Sequence, residues 1–198
     1  MQAVQTSIVV DFNTDQRLSR GTRAFLKALN SPMPPELEKL PPLQARKVLE
    51  TAQASIAVDY SGIAENDKSI TVGGFEIVLN LVRPKDVTKK LPVFMFIHGG
   101  GWVLGDYPTH RRLVRDLVVE SGCCAAFVNY TRTPDAVFPR QIDEIYAATR
   151  WVAEHGDEIN VDGRRLAVVG NSVGGNMTAV TAIKAKENGG PEIKLQIM

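Results

Sequence analysis

Cysteine, histidine and long apolar runs are all scarce in this sequence. Its 198 residues include three histidines and only two cysteines, Cys123 and Cys124. Because the cysteines are adjacent in an apolar run, a bridge between them would distort the peptide, and we expect buried, reduced side chains. No apolar run reaches the ~18 residues that a membrane-spanning helix needs, and the first residues lack the pattern of a signal peptide. These absences predict a cytoplasmic protein with no membrane span.

Charge of one sign is also lacking. Lys plus Arg number 23 and Asp plus Glu number 22, which gives a net charge of +1. Without a basic tract, the sequence offers no electrostatic footprint for nucleic acid or an anionic membrane. A His-x-x-x-His pair, a cysteine cluster and a dinucleotide fingerprint are missing as well, so we expect no metal and no organic cofactor. The 44% hydrophobic and 23% charged residues suit one soluble globular domain.

Residues 14–57 carry two amphipathic helical patterns. Prolines at 32, 34 and 35 and at 41 and 42 separate them, and Pro42 suits the first turn of the second helix. These helices could pack on a core, or they could form a mobile lid over a site. We assign residues 1–57 to an N-terminal helical cap region and residues 58–198 to the core.

From Ser69 onwards the pattern is that of an α/β protein. Apolar residues alternate around Gly73-Gly74, which predicts an antiparallel hairpin. Residues 92–97 then form a continuous apolar run, as expected for a strand covered on both faces. Helical patterns at 109–120 and 141–154 alternate with further strand candidates at 123–128, 166–169 and 193–198. This order predicts a mostly parallel sheet with helices on both faces.

A Gly-x-Ser-x-Gly segment follows one of these strand candidates, at Gly170 to Gly174. Between a strand and a helix, this pattern is typical of a nucleophile elbow, in which a strained turn presents the serine to a cleft. Ser172 is therefore the candidate nucleophile, and the backbone N–H of Val173 would face an oxyanion on the attacked carbonyl. The alternative is a tight strand-to-helix turn with a capping serine.

A second glycine-rich window, His98-Gly99-Gly100-Gly101-Trp102, follows the 92–97 strand. Bare backbone can bring N–H groups close to developing negative charge, and we expect Gly100 and Gly101 to be such donors. A flexible loop is the alternative, although the bulky flanking residues can anchor it. A phosphate-binding loop fits poorly, because the Gly-x-x-x-x-Gly-Lys-Ser/Thr pattern is absent.

Together the two windows resemble the hormone-sensitive-lipase-like esterases of the α/β-hydrolase fold. Tyr130 and the segment from Pro134 to Pro139 are also similar to that family, and the likeness runs from about residue 70 to the last residue. The resemblance implies an α/β-hydrolase fold whose cap is the N-terminal helices. It also implies Ser172 as nucleophile, an oxyanion hole of Gly100, Gly101 and Val173, and short to medium acyl esters as substrates.

Three residues depart from the family's usual pattern. Asn171 stands where the family usually has Asp, Val173 where it has Ala, and Asp135 where it has Glu. None of these changes removes the nucleophile or a backbone donor, so we expect altered rate or specificity.

A serine nucleophile needs a histidine base oriented by a carboxylate, in the chain order Ser, Asp or Glu, His. No histidine follows Ser172, and the only acidic residues after it, Glu187 and Glu192, do not match the family's triad acid. His98 is expected to support the glycine window, and His110 and His155 to lie on the surface.

The triad Asp and His are thus expected to be missing from this chain, whose sheet would be incomplete at the C-terminus. We expect an N-terminal portion of a longer esterase, or a truncated product whose missing half another chain supplies. Alone the chain would be inactive or very weak as a carboxylic ester hydrolase. Its expected partners are a small-molecule ester and either a second copy of the chain or a complementing C-terminal half. The alternative function is a non-catalytic small-molecule-binding protein on the same scaffold.

Overall fold

The structure, a computed structural model, describes residue 11 and residues 13–30 and 36–198. The N-terminal residues considered for a signal peptide and the prolines at 32, 34 and 35 lie outside these ranges. Two compact units are formed, Met1–Leu40 and Pro41–Met198.

Both helical patterns of the N-terminal region form helices. In the first unit, α1 (Arg20–Leu29) is capped by the Ser19 side chain, which accepts a hydrogen bond from the Thr22 N–H at 3.0 Å. The second pattern forms α2 (Pro42–Ala54), with proline in its first turn as predicted. Since α2 belongs to the larger unit, the structural division falls inside the region assigned to a cap, and the role of a cap stays a prediction.

The larger unit contains a six-stranded sheet. Its strands are β1 (Ile63–Val72), β2 (Phe75–Pro84), β3 (Leu91–Ile97), β4 (Cys124–Asn129), β5 (Val161–Gly170) and β6 (Leu195–Ile197). They lie in the order β1-β2-β4-β3-β5-β6. β1 and β2 form the predicted antiparallel hairpin, β2 runs antiparallel to β4, and strands β3 to β6 run parallel to one another.

Three further helices of this unit are α3 (Tyr107–Ser121), α4 (Arg140–His155) and α5 (Val173–Glu187). None of the described helices is long and apolar enough to cross a membrane.

Helices cover both faces of the sheet, which explains why β3 is apolar without alternation. Phe94 and Phe96 pack in one cluster with Val114 and Val118 of α3. Met95 and Ile97 belong to the opposite cluster, which also contains residues of α4 and α5. The predicted fold, a mostly parallel sheet between two helical layers, is confirmed.

The register of the central strands places the two glycine windows side by side. β3 and β5 are parallel neighbours, and Ile97 at the end of β3 lies opposite Gly170 at the end of β5. The loops that follow these strands therefore leave the sheet at the same edge, which is where ligands bind in open parallel sheets.

The β6 side of the sheet carries exposed apolar surface. Leu195 and Ile197 are 55% and 48% exposed on the edge strand. Beside them lies a pocket of about 280 Å³, which we call the edge pocket. Its lining includes Phe94, Leu117, Ala167, Val169, Leu195 and Ile197.

Candidate active site

Ser172 lies in a sharp turn between β5 and α5, which we call the elbow (residues 170–174). Its backbone angles are φ 56° and ψ −124°, a strained conformation for a residue with a side chain. A Cβ at Gly170 would lie 2.3 Å from the Gly174 carbonyl oxygen, and one at Gly174 would lie 2.0 Å from that of Ile97. The turn thus requires both glycines. Ser172 makes no capping hydrogen bond to α5, all of whose residues are described, so the capping alternative is wrong.

Residues 98–105, which we call the glycine loop, pack directly against the elbow. The Gly99 N–H donates to Oδ1 of Asn171 at 3.0 Å. A Cβ at Gly99 would lie 2.7 Å from the Asn171 carbonyl oxygen and 3.1 Å from the Ser172 Cβ. Only glycine lets the two backbones approach this closely.

The turn inside the glycine loop also depends on glycine. Gly100 has φ +124°, and a Cβ there would lie 2.3 Å from the carbonyl oxygen of Leu104. The Leu104 N–H donates back to the Gly100 carbonyl oxygen at 2.8 Å and closes the turn. Within the described residues 36–198, no backbone carbonyl accepts from the N–H groups of Gly100, Gly101 or Val173. These three donors remain available to a ligand.

His98 supports the glycine loop from within the core. Its side chain is 1% exposed, and its ring stacks on Tyr130 with centroids 4.2 Å apart. Its Nδ1 donates to the Gly99 carbonyl oxygen at 2.8 Å, while the Tyr130 hydroxyl donates to the His98 carbonyl oxygen at 3.0 Å. Burial lowers the pKa of His98 to about 4, so the ring is neutral near pH 7.

The other two histidines also use Nδ1 to bond backbone carbonyls. His110 bonds the Asp106 carbonyl oxygen at 3.1 Å, and His155 bonds that of Trp151 at 3.2 Å. The expected surface position of His110 is wrong: it is half-buried, its ring centroid is 5.5 Å from that of His98, and burial lowers its pKa. Because α3 begins directly after the glycine loop, its first turns bring His110 onto the loop. His155 is exposed at the end of α4, as expected.

This geometry agrees with a family comparison. Residues 94–198 match the family described as alpha/beta hydrolase fold. The chain belongs to the α/β-hydrolase family.

This chain has several esterases among its relatives. It is 35% identical over 176 residues to carboxylesterase NlhH of Mycobacterium tuberculosis, covering 89% of this chain and 48% of NlhH. It is 32% identical over 143 residues to ethyl acetate hydrolase of Pseudomonas putida, covering 70% and 45%. The solved structure of a thermostable esterase from Pseudomonas putida ECU1011 superimposes with a TM-score of 0.86 at 58% identity, covering 87% and 54%. The predicted hormone-sensitive-lipase-like branch is confirmed, and the chain spans about half the length of these relatives.

The described residues contain no group of three or more His, Cys, Asp or Glu side chains placed to hold a metal ion. Both cysteines are free. Cys124 is buried as expected, and burial raises its thiol pKa to about 11, whereas Cys123 is half-buried.

Glu144 is a buried support of the site that the sequence did not single out. It is 1% exposed on α4 and accepts hydrogen bonds from the Thr131 N–H at 2.7 Å and the Thr131 hydroxyl at 2.9 Å. Nε of Arg140 also donates to it at 2.7 Å. Thus Glu144 fixes the chain where it leaves β4, next to Tyr130. The sequence signal for this pair was the spacing of four residues between Arg140 and Glu144, which places both side chains on one face of a helix.

We expect His98 to make the hydrolase less stable in acid. The folded protein keeps this ring neutral down to about pH 4, whereas the unfolded chain protonates histidine near 6.5. Stability from His98 is therefore complete above about pH 6.5 and is lost as the pH falls towards 4. Between pH 7.5 and 4.5, the free energy of unfolding should fall about 2 kcal/mol more in the wild type than in His98→Gln.

Urea unfolding at the two pH values measures this difference. The charged or titratable groups that act on the His98 ring are His110, Arg132 and Asp106. The lowered pKa of His110 acts in the same direction, so His110→Gln should also reduce the acid sensitivity. Equal pH slopes in the wild type and His98→Gln would contradict the prediction.

Proposed function

We propose that this chain carries the nucleophile and the oxyanion hole of a carboxylic ester hydrolase. The single observation that carries the proposal is the strained turn at Ser172 packed against the glycine loop. A serine held in this conformation projects towards the cleft, next to backbone donors that no backbone carbonyl of residues 36–198 uses. The esterase relatives support the same reaction class.

The proposed reaction proceeds through an acyl-enzyme. The Ser172 oxygen attacks the ester carbonyl while a base removes its proton, and the carbonyl electron pair moves onto oxygen. The N–H groups of Gly100, Gly101 and Val173 stabilise that oxyanion. The intermediate then collapses, the C–O bond to the alcohol breaks, and the alcohol leaves with the proton from the base. Water then attacks the acyl carbonyl while the base removes a proton from it; the C–O bond to Ser172 breaks, the serine oxygen takes the proton back from the base, and the carboxylic acid leaves.

The base and its orienting carboxylate come, in this proposal, from a polypeptide segment equivalent to the remaining half of the relatives. All three histidines of this chain bond backbone carbonyls through Nδ1. The edge pocket and the exposed apolar side chains of β6 provide a surface on which such a segment can pack. The segment can belong to the same polypeptide or to another one.

A small ester with apolar acyl and alcohol groups is the proposed substrate. Trp102 at the end of the glycine sequence is 39% exposed, and Phe138 is 79% exposed. The Thr133 N–H donates to the Trp102 carbonyl oxygen at 2.9 Å, which ties the segment before Phe138 to the glycine loop. Trp102, which follows Gly101 directly, thus provides an exposed apolar side chain next to the proposed oxyanion hole.

The proposal is tested by completing the chain. We would join it to the C-terminal part of the Pseudomonas putida ECU1011 esterase that it does not cover, which gives the completed enzyme. Both forms are treated with a fluorophosphonate and assayed with nitrophenyl acetate. We expect labelling of Ser172, located by peptide mass spectrometry, and turnover in the completed enzyme, with little of either in the 198-residue chain.

Two other outcomes would overturn parts of the proposal. A folded completed enzyme that binds the ester without labelling or turnover would instead indicate a binding protein that lacks catalysis. Equal turnover by the 198-residue chain would show that its own residues supply the base.

Two neighbouring glycines allow a matched test of the proposed oxyanion hole. In the completed enzyme, Gly100→Ala should lower kcat by about 10²-fold, because the new Cβ would push on the Leu104 carbonyl and displace the donors. Gly101→Ala meets no atom within 4 Å, and at φ +62° it carries strain of about 1 kcal/mol. Its kcat should therefore fall much less. Equal losses in the two variants, measured with nitrophenyl acetate, would contradict the assignment.

A further inference from the structure

Arg46 on α2 is a buried cation whose main partners are backbone carbonyls. The residue is 8% exposed. Its Nε donates to the Val103 carbonyl oxygen at 2.8 Å, and its Nη2 donates to that of Thr133 at 2.9 Å. The carboxylate of Asp135 is farther away, at 3.4 Å, and its side chain is 66% exposed. The guanidinium therefore acts mainly as a bridge between two chain segments.

Both segments meet at the glycine loop. Val103 lies in the turn that begins at Gly100. The N–H groups of Val103 and Leu104 both donate to the Gly100 carbonyl oxygen, at 3.2 and 2.8 Å, and close this turn. Thr133 belongs to the segment after β4, and its N–H bonds the Trp102 carbonyl oxygen. Arg46 thus holds this turn to α2, while Asn171 and His98 hold the start of the loop at Gly99.

We propose that Arg46 is a positioning residue that holds the turn from Gly100 to Leu104, and with it the Gly100 and Gly101 N–H groups, in place beside Ser172. The catalytic meaning of this position rests on the proposed function. Arginine suits the position because its planar guanidinium donates in fixed directions from separate nitrogens, whereas all three N–H donors of a lysine ammonium rotate about one nitrogen. Movement of α2 would be transmitted to the glycine loop through this side chain.

Hydrogen exchange at single amides tests the proposal without any turnover. The reporting amides are those of Val103, Leu104 and Thr133, which are hydrogen-bonded in and beside the turn. In Arg46→Met, which keeps the apolar stem, these amides should exchange about tenfold faster, while strand β5 exchanges as in the wild type. Asp135→Asn, the matched control, removes the carboxylate only and should leave their exchange unchanged.

Arg46→Lys keeps the charge and provides a second variant if the methionine variant does not fold; it should give a smaller increase in exchange. Unchanged turn amides in a folded Arg46 variant, or an equal increase in Asp135→Asn, would overturn the proposal. In the completed enzyme, Arg46→Met should lower kcat by about tenfold with little change in KM. If the turn amides exchange faster in Arg46→Met but no form of the enzyme shows turnover, the positioning role stands and only the proposed function is rejected.

Discussion

Ser172→Ala in the completed enzyme is expected to lower kcat for nitrophenyl acetate by a factor on the order of 10⁵ to 10⁶. The variant loses the proposed covalent route, since the proposed acyl-enzyme forms on the serine oxygen. What remains is stabilisation of the oxyanion by backbone N–H groups during direct attack by water, on the order of 10³ above the uncatalysed rate. Steady-state rates measured with purified variants, together with loss of fluorophosphonate labelling, check this expectation.

The size of this loss separates a nucleophile from a residue that only shapes the turn. At φ 56°, alanine is strained much as serine is, so the elbow itself should persist in Ser172→Ala. Ser69→Ala, at an exposed position of β1, is a matched control that should retain full activity. A Ser172→Ala enzyme within tenfold of the wild type would reject Ser172 as the nucleophile.

Gly174→Ala should have the largest effect on folding among the single substitutions considered. Its Cβ would lie 2.0 Å from the Ile97 carbonyl oxygen and 2.9 Å from the His98 carbonyl carbon, both fixed backbone atoms. In an ordinary helix, glycine to alanine gains up to about 1 kcal/mol. Here α5 must move away from β3, and we expect the free energy of unfolding to fall by more than about 3 kcal/mol.

Gly175→Ala is the neighbouring control on the same helix. Its nearest contacts are 3.3 Å from the Gly170 carbonyl oxygen and 3.4 Å from Met198, which small shifts can accommodate. Its unfolding free energy should stay within about 1 kcal/mol of the wild type. Urea unfolding followed by circular dichroism measures both variants. Similar stability of the two would show that α5 can yield at Gly174.

The sequence predicted those parts of the fold that repeat along the chain. Continuous apolar runs revealed β3 and β4 because both of their faces are buried, and period-two alternation revealed the hairpin of β1 and β2. The start of β1 at Ile63 was missed, since that half of the strand is polar and largely exposed. The strand order was also beyond reach, because placing β3 between β4 and β5 depends on long-range pairing.

The glycine positions of the site were predicted, but the side chains that hold them were not. A glycine motif reports a requirement for bare backbone, which is local in sequence. Arg46 bonds Val103 and Thr133, which lie 57 and 87 positions further along the chain. An arginine on an amphipathic helix is, moreover, usually a surface residue. Likewise, nothing local marked His110 as a partner of the His98 ring.

Among the described residues, the side chain of Asn171 joins the elbow to the start of the glycine loop by accepting a hydrogen bond from the Gly99 N–H. A carboxamide neither gains nor loses a proton over the range in which proteins stay folded. The hydrogen bond between the Gly99 N–H and Asn171 therefore keeps the same strength in acid and in alkali. A pH profile of the completed enzyme would thus report on the proton-accepting base and not on weakening of this hydrogen bond.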